Sequence, residues 1–119
     1  MAVRYMWAAI DLAIILLFVG IGRTTHDHGV SFTGLISTTW PFAVGWLLAT
    51  TVIVTTGKLG ASVGAGLLVW LTTVVVGMLV RVVVGQGIAL AFVIVALGFL
   101  GVLMLGWRVL WRGVQGRRA

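Results

Sequence analysis

The chain has 119 residues, 61% of them hydrophobic and only 8% charged, with a formal net charge of +6 and no cysteine. Soluble domains carry about a quarter charged residues, and short domains leave much of their surface in water, so a mean hydropathy of +1.23 makes the bilayer the solvent. The missing cysteines exclude disulfides, thiolate metal sites and cysteine nucleophiles.

A spanning helix needs about 20 mostly apolar residues, and four stretches qualify within a single integral membrane domain covering residues 1–119. Open sheet edges are forbidden in lipid, so valine-rich runs such as Val74-Val75-Val76 are read as helix. The expected fold class is all-α, a polytopic bundle of four transmembrane helices.

The first span covers residues 5–22 and contains Asp11. Insertion of an aspartate at a helix centre costs about 2.5–3.5 kcal/mol. Asp11 is roughly 9 Å into its span at 1.5 Å per residue. Span two runs the opposite way, so Thr51, Thr55 and Lys58 are its candidate partners at similar depth. Two roles are open for Asp11. It is an ion- or proton-handling group with Thr51 and Thr55, or a packing device satisfied by threonine hydroxyls and tryptophan donors. Arg4 and Gly20-Ile21-Gly22 imitate a signal peptide, but a carboxylate is foreign to a signal core, so an uncleaved helix is expected.

The connection 23–39 brings Arg23, His26, Asp27 and His28 within six residues, and Arg81 and Gln86 should share their side. Such a cluster could bind an anion or sense pH through imidazole. Its plainest reading is a solvated loop with one Asp27–arginine pair. A metal site usually needs three or four ligands with a supporting second shell. The chain has no other histidine, and Asp11 belongs near the opposite face, so no metal and no cofactor are expected.

The second span, residues 40–56, begins at Trp40-Pro41, with the proline in a first turn where its absent donor is not needed. Residues 57–60 form a tight turn, so spans two and three pair as an antiparallel hairpin. The third span covers residues 61–80. If it continues to Val84, Arg81 is buried and needs a partner. Gly85 and Gly87 break the chain before the fourth span, residues 88–107. Gly60-x3-Gly64 and Gly98-x2-Gly101 are close-packing signals for a partner helix in this chain or another copy. In the tail, Trp107 and Trp111, like Arg108 and Arg112, stand four apart. Rings in the interface and guanidiniums at anionic lipid headgroups are expected there.

Arg4, Lys58, Arg108, Arg112, Arg117 and Arg118 share one side of a four-span chain, against Arg23 and Arg81 on the other. The positive-inside rule then places both termini in the cytoplasm of a cell that carries the protein in its inner (plasma) membrane. This distribution explains the basic charge without nucleic acid. Catalysis has little to build on: Ser31, Ser37 and Ser62 lie in no nucleophile-elbow pattern, and Asp11 and Asp27 fall on opposite sides, so no enzyme is expected.

The order Asp11, Gly20-Ile21-Gly22-Arg23-Thr24-Thr25-His26, Trp40-Pro41-Phe42, Gly77-Met78-Leu79-Val80-Arg81 and Leu105-Gly106-Trp107-Arg108 resembles the small bacterial, mainly actinobacterial, membrane proteins grouped as domain of unknown function 3054. The resemblance covers nearly the whole chain. It implies four spans and marks Asp11, Arg23, His26 and Arg81 as family features, but it implies no activity. Small multidrug resistance exporters share the size and a first-span acid. Their acid is a glutamate, however, and their Pro-Thr-Gly-rich segment between spans two and three is absent here. Dual-topology fluoride channels depend on an asparagine, and this chain has none.

Two readings of function follow. One is a small oligomeric transporter or channel using Asp11. The other is a structural or accessory subunit of a larger membrane complex. Four helices leave little room for a monomeric pore, so transport would require a homo-oligomer.

Overall fold

The computed structural model describes residues 5–25 and 32–118, except for the side chains of Thr24, Thr25, Phe32 and residues 115–118. Four helices make up the fold: α1 (Met6–Thr25), α2 (Phe32–Thr56), α3 (Val63–Val83) and α4 (Leu90–Arg118). All four are long and apolar enough to cross a membrane. No strand occurs among the described residues. Helix α1 packs on α2 and α4, α2 on α3, and α3 on α4, so the bundle closes on itself. Its extents are 47 × 27 × 27 Å, long enough to cross a hydrocarbon core of about 30 Å.

The turns follow from local chemistry. Gly57 adopts φ 72° after α2, which a residue with a Cβ rarely does. Ser62 caps α3 by accepting from the Ala65 amide at 3.1 Å, satisfying one of the orphan donors of the first turn. The second and third helices form the expected hairpin. Their axes come close at Gly45, where an added Cβ would stand 2.7 Å from the Thr73 Cα.

Helix α2 starts eight residues before the expected position, so Pro41 is interior rather than in the first turn. An interior proline lacks an N–H and frees the carbonyl four residues earlier, here that of Ser37. In lipid such a group needs another donor. The side-chain amide of Gln86, in the α3–α4 connection, donates to the Ser37 carbonyl at 3.1 Å. A contact 49 residues away in sequence thus lets the helix continue through Pro41.

The core is layered by aromatic rings. Phe18 of α1 meets Phe42 of α2 edge-on and packs against Phe92 and Phe99 of α4, with centroids 5.4–6.0 Å apart. Indole donors tie neighbouring helices together, as buried indoles usually find a partner. Trp46 Nε1 donates to the Ala8 carbonyl at 3.0 Å, and Trp70 Nε1 to the Leu97 carbonyl at 2.9 Å. Of the glycines marked as packing signals, Gly60 lies under the Trp7 ring and Gly101 under Trp70, whereas Gly64 and Gly98 face open space.

Candidate functional site

Asp11 is completely buried on α1, and its partner is Arg108 of α4, which is equally buried. Arg108 Nη2 donates to Asp11 Oδ2 at 2.7 Å and Nη1 to Oδ1 at 2.8 Å. This is the bidentate fork that a guanidinium forms with a carboxylate. Trp107 Nε1 adds a third donor to Oδ1 at 3.1 Å. Arg108 also donates from Nε to the Gly60 carbonyl at 3.0 Å and from Nη1 to the Met104 carbonyl at 3.0 Å. Four of its five N–H groups are therefore engaged, and its guanidinium carbon lies 4.6 Å from the centroid of the Trp107 ring.

Local sequence makes room for this pair. A Cβ on Gly66 would stand 2.6 Å from Arg108 Cδ, so a glycine in the second turn of α3 is what lets the long side chain run inward. Gly60 turns its carbonyl toward Nε, and Trp7 covers the other side of Gly60. One Asp–Arg pair thereby fastens α1, α4 and the start of α3 together. A cavity of about 500 Å³ at this end is lined by Tyr5, Trp7, Lys58, Gly60 and Trp111 among others, but by neither Asp11 nor Arg108.

Two expectations are corrected. Thr51, Thr55 and Lys58 are not the partners of Asp11. Thr51 is exposed on α2 and bonds the Leu47 carbonyl, Thr55 bonds the carbonyls of Thr51 and Val52, and Lys58 is exposed in the turn. A threonine whose hydroxyl returns to its own helix is satisfied in lipid without a second helix. Arg108 does not reach for headgroups either, because it is 0% exposed and its charge is neutralised inside the bundle. The signal for it was present in the chain. The start of span one and the end of span four share a side, and Arg108 stands at a depth comparable with Asp11.

The second polar group lies at the other end of the bundle, since Asp11 and Arg23 are about 18 Å apart along α1. Arg23 Nη1 donates to Thr38 Oγ1 at 3.1 Å. Its guanidinium lies against Gly34 of α2, where any Cβ would collide with it. Arg81 falls in the last turn of α3, as the longer reading of that span requires. It donates to the Gly87 carbonyl at 3.1 Å and to Gln86 Oε1 at 3.0 Å, and stacks 4.7 Å from the centroid of Phe92. Gln86 therefore bridges Arg81 to the carbonyl freed by Pro41. Arg23 and Arg81 line one cavity of about 210 Å³ together with Phe18, Val19, Gly22 and Thr38. The structure thus joins Arg23 and Arg81, and separates both from Asp11. His26 and Asp27 lie outside the described residues, as does His28.

No curated protein and no solved structure matches the chain. A family profile does match, over residues 8–111, and this range holds Asp11, Arg108, Arg23 and Arg81 together. The chain is a multi-pass membrane protein and belongs to the family described as protein of unknown function (DUF3054).

Proposed function

We propose that this protein is a non-enzymatic structural or accessory component of the plasma membrane, and that Asp11 holds helices together rather than handling an ion. One observation carries this reading. Both carboxylate oxygens are taken by Arg108 and Trp107, and the side chain has 0% exposure. A group that carries a cation or proton needs an open position or a water route, and a satisfied bidentate pair supplies neither. Retention of buried ion pairs for a unique helix arrangement is an attested use of such groups.

In the proposed orientation both termini are cytoplasmic. Arg108 drops out of the headgroup-facing set, but Arg4, Lys58, Arg112, Arg117 and Arg118 still outnumber Arg23 and Arg81. Arg112 is exposed beyond the apolar part of α4, consistent with contact to anionic headgroups. The apolar outer faces of the bundle are left to lipid and to the helices of a larger complex.

The test is reconstitution of the wild type and Asp11→Asn in liposomes carrying proton and potassium gradients. The expected result is no Asp11-dependent flux, together with a lowered melting temperature for the variant. A wild-type flux abolished by Asp11→Asn in protein that keeps its fold would establish the transport reading instead. The accessory role further predicts a stoichiometric membrane partner that stays bound when Asp11→Leu and Arg108→Met are combined.

A further inference from the structure

We infer that the cavity between Arg23, Thr38 and Arg81 is a binding site for a tetrahedral oxyanion of the phosphate type. This inference is independent of the role of Asp11, because the two sites occupy opposite ends of the bundle.

The first support is convergence. Two arginines from different helices, α1 and α3, line the same cavity of about 210 Å³ together with Thr38 of α2, whose hydroxyl accepts from Arg23. Each arginine also ends a helix whose last carbonyls favour a cation. That accounts for either arginine singly, but not for both lining one cavity.

The second support is charge balance. The whole chain holds two carboxylate side chains, Asp11 and Asp27. Asp11 is consumed by Arg108 at the far end. Even with Asp27 assigned entirely to this cluster, two guanidiniums face at most one side-chain carboxylate. One side-chain carboxylate does not neutralise two guanidiniums.

The third support is preorganisation. Arg81 is held by neutral acceptors, the Gly87 carbonyl and the Gln86 amide oxygen, and by the Phe92 face. Among the described residues its Nη2 has no hydrogen-bond partner. Gln86 is itself anchored on the Ser37 carbonyl. Guanidinium forks bind phosphate oxygens bidentately, and a fixed fork loses little freedom on binding. Phe18 and Val19 form an apolar wall on which a desolvated anion is held by stronger hydrogen bonds than in water.

The phosphate can belong to a free anion or to a lipid headgroup, and the experiment separates these. Full-length protein in a neutral detergent is titrated with sodium phosphate at constant ionic strength, by calorimetry. The same protein in nanodiscs is tested for retained phosphatidylglycerol over phosphatidylcholine by native mass spectrometry. Saturable phosphate binding, weakened about tenfold or more in Arg23→Gln and in Arg81→Gln, supports the site and assigns a free anion. Absent phosphate binding, with Arg81-dependent retention of phosphatidylglycerol, supports it and assigns a lipid. Gly34→Ala keeps every charge but displaces the Arg23 guanidinium, and should weaken whichever ligand binds. Melting curves identify variants that fail to fold. Two results overturn the inference: neither probe binds in an arginine-dependent way, or phosphate binds only after Asp27→Asn, which would make the chain's own carboxylate the occupant.

Discussion

Replacing Asp11 and Arg108 singly and together tests the buried pair most directly. Arg108→Met leaves the Asp11 carboxylate with the Trp107 indole as its only described donor, in a position with 0% exposure. Removing one partner of a buried pair costs about 3–5 kcal/mol. Asp11→Leu strands a guanidinium that retains the Gly60 and Met104 carbonyls, so its cost falls toward the lower end of that range. In the double variant no charge remains buried. The Trp107 N–H and the Gly60 carbonyl lose these partners, at about 1–3 kcal/mol each. Two ions no longer need desolvating, which recovers about 1–4 kcal/mol in apolar replacements of buried pairs. The double variant is therefore expected within about 2 kcal/mol of the wild type by this balance, and above either single variant. Unfolding in mixed micelles, followed by tryptophan fluorescence, measures all three against the wild type. Additive losses, with the double variant least stable of all, would refute the reasoning, because independent sites add whereas paired ones do not.

Gln86→Leu should destabilise by about 1–3 kcal/mol, as expected for an uncovered carbonyl. Its effect should shrink in a Pro41→Ala background, where the restored amide can serve Ser37; the same unfolding assay gives the coupling. Gly45→Ala should cost about 1–3 kcal/mol through overpacking against the α3 backbone, while Gly98→Ala, which meets open space, should be neutral or stabilising, so melting temperatures of the two variants should diverge. The absence of native cysteine allows single-cysteine mapping of topology in intact cells. Val84→Cys is expected to react with an impermeant maleimide, and Lys58→Cys and Val114→Cys only after permeabilisation; the reverse pattern would invert the proposed orientation.

The four helices were legible because length and hydropathy are local properties, and so was the hairpin at Gly57. Pro41 misled because its tolerance inside α2 depends on Gln86, whose approach to Ser37 no local pattern encodes. The cost of Asp11 was legible, but its partner was not. Thr51, Thr55 and Lys58 belong to the next span along the chain and its turn, whereas closure of the bundle makes the first and last helices neighbours. Repeats four residues apart put Trp107 with Trp111, and Arg108 with Arg112, on one helix face without saying where that face turns inward. The glycine that admits Arg108, Gly66, was hidden between the more conspicuous Gly60, Gly64 and Gly98. At the other end, Arg81 showed its need for partners, but its convergence with Arg23 requires the closed bundle, which brings the ends of the diagonal helices α1 and α3 to one cavity.

The Asp11–Arg108 bond also joins residues 97 positions apart, and this separation sets an order of events during synthesis. At about 5–20 residues per second, Asp11 is made roughly 5–20 s before Arg108 exists. Throughout that interval the carboxylate lacks the guanidinium fork that satisfies it in the finished bundle. Arrival of α4 supplies the fork and completes the bundle. A chain stopped before α4 thus keeps in its first helix a carboxylate without its fork, a cost that only the finished protein removes.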